Sequence, residues 1–235
     1  MSRRRPSLLV IGLVLITAAA CGPHGFDRPT LTKGIGAQLP PADEDIARAL
    51  EARPAARPPM RIALYLHPEP LTVGGSRSWS WKARDKDALL AAAERLRGDR
   101  LVGDMFVLSD LVVRDRGLKG LRIAAAQHGA DALLLVAGGA DVDAYNNPLS
   151  LLYLTVIGYW LAPGTHRDAL FLARGAMWDV RSGHLYLTIE TEAEARTLRP
   201  GAFSTGEAAI DQAKQRALND FRDDLVRRLG RLTSS

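Results

Sequence analysis

A chain of 235 residues with 47% hydrophobic and 24% charged residues can bury one sizeable core, and that composition excludes a disordered or fibrous protein. The formal charge of +5 falls to +2 once the three arginines of residues 1–20 are set aside, which leaves no reason to expect a nucleic-acid partner. The only cysteine is Cys21, so the chain has no internal disulfide and must be held together by packing.

The first 21 residues form a recognisable series. Arg3, Arg4 and Arg5 precede an apolar stretch from Leu8 to Ile16, followed by Thr17-Ala18-Ala19-Ala20-Cys21-Gly22. A basic start, a short apolar run and small residues describe an export signal. Leu8 to Ala20 is 13 residues, too short for a spanning helix, which needs ~20. With cysteine directly after the small residues, the segment resembles the bacterial lipobox. That resemblance implies residues 1–20 as signal peptide and Cys21 as the acylated N-terminus of a protein tethered to a membrane. A plain secretory signal is the alternative, and it would leave Cys21 a lone thiol.

Residues 21–59 read as a Pro-rich tether, with prolines at 23, 29, 40, 41, 54, 58 and 59. One short helix is expected inside it, Ala42 to Arg53, with Asp43, Glu44 and Asp45 in its first turn. The globular part, 60–235, opens with a strand over Arg61–His67 and a Gly-rich loop over 68–84. Asp85 is expected to cap a helix reaching about Arg97, with Leu89, Ala92, Ala93 and Leu96 on one face. A strand over Asp104–Leu108, a helix over 118–129 and a continuously apolar strand over Asp131–Val136 follow. The first half therefore reads β–α–β–α–β.

The second half differs. Leu149 to Ala162 is a mostly apolar segment between Pro148 and Pro163. Ala169–Val180 and His184–Glu192, joined by Arg181-Ser182-Gly183, carry the pattern of a hairpin. In its second arm Leu185, Leu187 and Ile189 should face the core, and Tyr186, Thr188 and Glu190 the solvent. Ser204 and Glu207 fit a capping box for a long final helix to about Leu232. Its stripe is Ile210, Ala213, Ala217, Phe221, Leu225, Leu229 and Leu232. The expected architecture is a single α/β (α+β) domain: a mixed sheet with a β–α–β–α–β start, a meander or hairpin, and a long C-terminal helix packed on the sheet.

Few residues point to chemistry. His24, His67, His128, His166 and His184 make no ligand pair at metal-binding spacing. There is no Gly-x-Ser-x-Gly, and Gly138-Gly139 opens no helix as a phosphate loop would. Neither a cofactor nor a metal is expected. Asp141 and Asp143 follow the third strand and could serve a small-ligand-binding protein or hydrolase, although acids beside Tyr145-Asn146-Asn147 also suit a plain turn. Trp79 and Trp81 stand two apart in an extended segment, where they line a groove, rest at a membrane interface, or cover the core edge. The 149–162 segment is either core or an exposed contact surface. The candidate interaction surface is Leu151, Leu152, Tyr153, Tyr159 and Trp160, with Trp79 and Trp81.

Three stretches carry a further likeness: Gly129-Ala-Asp131-Ala-Leu-Leu-Leu-Val136, Ser150-Leu-Leu-Tyr-Leu-Thr-Val-Ile-Gly-Tyr159 and Ala176-Met-Trp-Asp-Val-Arg-Ser-Gly-His-Leu185. Through them the chain resembles the bacterial rhombotarget lipoprotein family. In layout alone it is similar to the lipoprotein domain of curli-type secretion pores. The family resemblance implies an envelope lipoprotein in the sphere of rhomboid-type intramembrane proteases, with no activity attached to named residues. Family systems of this kind often carry a Gly-Gly tail with a membrane segment. This sequence shows a basic helix there instead, so processing by such a protease is not expected. The combined expectation is a non-enzymatic envelope lipoprotein, facing the periplasm from the outer membrane. Its partners would be the membrane, through the lipid on Cys21, and an envelope protein or a second copy.

Overall fold

The computed structural model describes residues 25–38, 50–68, 71–73, 79–146, 165–199 and 206–232. Among these residues six strands form one mixed sheet: β1 (Met60–Leu66), β2 (Leu71–Val73), β3 (Val102–Val107), β4 (Ala132–Asn146), β5 (Thr165–Asp179) and β6 (Leu185–Arg199). Their order is β3-β1-β4-β5-β6, and β2 pairs with β4 beyond the end of β1. β1 runs parallel to β3 and β4, whereas β5 is antiparallel to both β4 and β6. Among the described residues four helices pack on it: α1 (Arg28–Gln38), α2 (Ala83–Gly98), α3 (Leu118–Gln127) and α4 (Glu207–Leu232). The α/β reading, the β–α–β–α–β start and the hairpin are what the hydrophobic pattern predicts, and α4 buries the expected stripe from Ile210 to Leu229.

Alternation along β4 divides the core between the two faces of the sheet. Leu134, Val136 and Ala140 pack with α2, α4 and the inner residues of β5 and β6. Leu133 and Leu135 face the other way, into a cluster with Leu121, Ala124 and Ala125 of α3. Further along that second face, Ala137 joins Leu170 and Leu172 of β5 beneath Leu31 and Ile35 of α1. Helices α1 and α3 therefore share one face, and α2 and α4 the other.

Four sequence expectations change. Strand β4 does not stop at Val136 but continues to Asn146, ten residues further. Its Ala137-Gly138-Gly139-Ala140 stretch lacks the bulk that marks a strand because neighbours occupy that space. A Cβ on Gly138 would lie 2.8 Å from Phe171 Cζ and 2.9 Å from Trp79 Cη2. One on Gly139 would lie 2.6 Å from Leu31 Cδ1. Secondly, Asp85 is not the N-cap of α2. The helix starts at Ala83, and Asp85 sits in its first turn and accepts the Lys82 N–H at 2.8 Å. Thirdly, Leu185 is 41% exposed, because the register of β5 and β6 shifts between Met177 and Trp178. Finally, residues 28–38, expected as spacer, are a helix docked on the sheet. The expected helix over Ala42–Arg53 and the Ser204 cap fall largely outside the described residues, and α4 begins at Glu207.

Candidate functional site

Asp141 and Asp143 point to the α1 side of β4, two residues apart and hence on one face. Both are buried. Asp141 Oδ2 accepts the Asp27 N–H at 2.8 Å, and Asp143 Oδ2 accepts the Gly25 N–H at 2.9 Å. The period of the strand thus matches alternate amides, Gly25 and Asp27, of the segment laid against it. Asp27 then caps α1, its Oδ1 accepting the Thr30 N–H at 3.1 Å, and hydrogen bonds from Thr30 hold its carboxyl below the usual aspartate range.

Helix α1 is fastened along its length. Leu31 and Ile35 are fully buried. Arg28 pairs with Glu192 and Glu194 of β6, and Arg174 of β5 donates to the Thr32 carbonyl at 3.1 Å while pairing with Glu190 at 2.6 Å. Burial of two such aliphatic side chains contributes roughly 3–6 kcal/mol. Gly139→Val inserts a branched side chain where Leu31 and Ile35 already touch the backbone, and should loosen α1 by about 1–3 kcal/mol. Limited trypsin digestion should then cut at Lys33 several-fold faster than in the parent. An unchanged cleavage rate would contradict the docking.

This clamp fixes where Gly25 lies. Only three residues separate Cys21 from Gly25, a reach of at most about 14 Å. Gly25 is held by Asp143, and β4 ends three residues later at Asn146, opposite Thr165 of β5. The 147–164 connection therefore leaves and re-enters the sheet at the same end that holds Gly25. That end is braced: Tyr145 stacks on His166 with ring centroids 5.1 Å apart, its hydroxyl donates to Asp168, and Arg196 donates to both Asp168 oxygens at 2.8 Å.

Of the residues singled out from sequence, Cys21, Leu151, Leu152, Tyr153, Tyr159 and Trp160 lie outside the described residues. Trp79 is buried in the core, edge-on to Trp81 at 4.9 Å and to Phe171 at 4.8 Å. Trp81 is half-buried and donates its indole N–H to the His67 carbonyl at 2.8 Å. Asp141 and Asp143 are brought together, as a ligand or hydrolase site would require, yet they lie buried with one oxygen of each on the chain's own backbone. Among the described residues, no group of three or more His, Cys, Asp or Glu side chains is placed to hold a metal ion. No described helix is long and apolar enough to cross a membrane.

Two other charge clusters went unnoticed in the sequence. Lys214 of α4 is fully buried. Its Nζ lies 2.6 Å from Asp85 Oδ2, donates to the Ser80 carbonyl at 2.8 Å, and stands 5.5 Å from the centre of the Trp79 ring. Asp85 also accepts from Gln215, and Asp211 pairs with Lys82 and Arg84. At the opposite end of the sheet, Asp179 receives five donors. The Ala55 and Ala56 N–H groups and the Tyr186 hydroxyl reach Oδ2, and the Arg181 and Ser182 N–H groups reach Oδ1, all within 2.8 Å. In both clusters the polar atoms are consumed by internal partners, which is the arrangement of a structural brace rather than a reacting group. Only spacing cues existed for them: Asp85 in a helix's first turn, and Asp179 beside a Ser-Gly turn.

No protein-family model matches the chain, and no curated protein matches it. Among solved structures the chain is similar to a putative neuraminyllactose-binding hemagglutinin homolog from Helicobacter pylori, at 8% identity and a TM-score of 0.38, over 80% of this chain and 90% of that one. It is similar to protein XCC0632 from Xanthomonas campestris, at 8% identity and a TM-score of 0.36, over 77% and 93%. It is also similar to the LpoB C-terminal domain from Salmonella enterica, at 10% identity and a TM-score of 0.28, over 71% and 98%. At this level of similarity the chain's function has to be read from its own residues.

Proposed function

We propose that this protein is a lipid-anchored cell-envelope lipoprotein, and that it acts as a non-enzymatic assembly or interaction module rather than by catalysis. In this reading residues 1–20 are the signal peptide and Cys21 carries the lipid. The domain faces the periplasm from the outer membrane, and its motifs resemble those of the rhombotarget lipoproteins. The contact surface for an envelope protein or a second copy is the apolar 149–162 segment, with Leu151, Leu152, Tyr153, Tyr159 and Trp160 as its large side chains.

One observation supports this reading above the others: Asp141 and Asp143 hold the backbone of residues 25–27 beside the end of β4. A lipid four residues upstream would emerge at the end of the sheet from which the apolar connection departs, so anchoring and presentation would be coupled by the fold. The same hydrogen bonds weaken the alternative in which the two aspartates bind a ligand or activate a water. A photo-crosslinking residue at Tyr153 or Trp160, introduced into the full chain in cells, should give a discrete adduct with one envelope protein or with a second copy. A chain that stays monomeric and forms no adduct from either position would remove the interaction reading.

A further inference from the structure

We propose that Leu111, Val112 and Ile123, together with Arg114 and Lys119, form a second membrane contact that rests on an anionic lipid surface. Leu111 is 96% exposed, Ile123 51% and Val112 37%. They come from two places, the 3-10 turn Asp110–Val112 after β3 and the outer side of α3. Between turn and helix lies a recess of about 420 Å³, whose wall includes Val112, Arg114, Lys119 and Ile123.

The turn is held in place, so the exposure of Leu111 is built in. The Leu108 N–H donates to the Leu64 carbonyl at 2.8 Å, the Leu111 N–H to Ser109 Oγ at 3.3 Å, and the buried Tyr65 hydroxyl to Asp110 Oδ1 at 2.7 Å. Arg116 pairs with the same Asp110 at 2.9 Å. The acids beside the patch are thereby satisfied: Asp110 by Arg116 and Tyr65, and Asp115 by the Gly117 N–H at 2.9 Å. Arg114 and Lys119 form no ion pair among the described residues. Asp115 lines the same recess and keeps its charge, so with Arg114 and Lys119 the unpaired groups around the apolar side chains sum to +1, which complements anionic headgroups.

Area and charge select a lipid surface over a peptide. The patch and α1 lie on the same face of the sheet, and the turn follows the carboxyl end of β3. Gly25 is held near the carboxyl end of the parallel strand β4. The two share this face but not one end of it: Val107 is level with Leu134 and Gly25 with Asp143, nine residues along β4, so a bilayer reached by a lipid on Cys21 meets Leu111 when it lies along the face that carries α1 and α3. A stable protein interface needs roughly 800 Å² per partner, far more than three side chains supply. A protruding leucine with Arg114 and Lys119 nearby is instead the mix that settles at a headgroup boundary, and it suffices as a second signal beside an acyl anchor. The proposal rests on the lipoprotein reading above.

Acylation consumes the only native thiol, so Leu111→Cys in the full acylated protein can take a single environment-sensitive fluorophore. In vesicles of phosphatidylglycerol with phosphatidylcholine, its emission should shift to the blue and be quenched by spin-labelled lipid. A label at Leu185→Cys, in β6 at the opposite edge of the sheet from β3, should do neither. Arg114→Glu with Lys119→Glu should cut the quenching several-fold, as should vesicles of phosphatidylcholine alone. A label at Leu111 that stays water-exposed, or one indifferent to charge reversal, overturns the proposal. Intact mass separates the causes. Acyl chains present with a wet label sink this inference alone, and acyl chains absent sink the lipoprotein reading and this inference with it.

Discussion

Lys214→Met should lower the melting temperature by about 10 °C, from a loss of about 3–5 kcal/mol. Methionine keeps the length of the stem and its packing under Trp79, so the change isolates the ammonium. That group is the partner of Asp85, which is itself fully buried and also receives the Lys82 N–H and Gln215. Removing the cation leaves a carboxylate inside the α2–α4 joint with its compensating charge gone, and the Ser80 carbonyl without its donor. The double variant Asp85→Leu with Lys214→Met should recover more than half of the loss, because two well-packed apolar groups replace a buried pair at little net cost. Thermal unfolding of the two singles and the double gives the coupling directly. Additive losses would mean that the pair contributes nothing beyond its separate parts.

Asp179→Asn should cost about 3 kcal/mol at neutral pH and remove this carboxyl's share of the chain's acid sensitivity between pH 4 and pH 2. Burial pushes the Asp179 carboxyl up, but the Ser182 and Ala56 N–H groups, the Tyr186 hydroxyl and the Ala55 N–H outweigh it, and the result is pulled down to about 2 from 3.8. A carboxyl whose folded value lies below its unfolded value stabilises above the unfolded value. That stabilisation is lost as pH falls from about 4 through about 2. Its size is about 2 kcal/mol. The amide keeps one acceptor oxygen and turns a donor toward the rest, so buried N–H groups on the 55–56 segment or the 181–182 turn lose their partner. Denaturant unfolding from pH 7 to pH 2 should show parent and variant converging at the acid end. A constant gap across that range would contradict the ionised hub. Tyr186, whose hydroxyl is raised by burial and by its bond to Asp179, stays neutral throughout and serves as donor.

The elements legible from sequence were those with a repeated apolar period. The stripe on α4, the run Ala132–Val136 and the turn at Gly183 each have a single physical reading, and each stands in the structure. What sequence reading missed has a common cause, namely pattern without bulk. Helix α1 contains two glycines and only Leu31 and Ile35 as buried anchors, so no amphipathic stripe rises above the polar background. Its available signals were the Asp27 cap three residues before Thr30, Pro29 in the first turn, and the four-residue spacing of Leu31 and Ile35. The second half of β4 was hidden by Gly138 and Gly139, which look like a loop until Trp79, Phe171 and Leu31 are seen filling their places. Asp141 and Asp143 then read as turn acids. In a strand they become a two-residue comb that grips a second segment, a pairing 114 to 118 residues apart that local sequence does not encode.

The lipid at the front of the chain is the claim on which the functional account turns, and mass spectrometry of the N-terminal peptide from fractionated cells tests it most directly. The expected peptide begins at Cys21, carries acyl chains on that residue, and comes from the membrane fraction. A peptide that begins at Met1, or a Cys21 recovered with a bare thiol in the soluble fraction, would contradict the account.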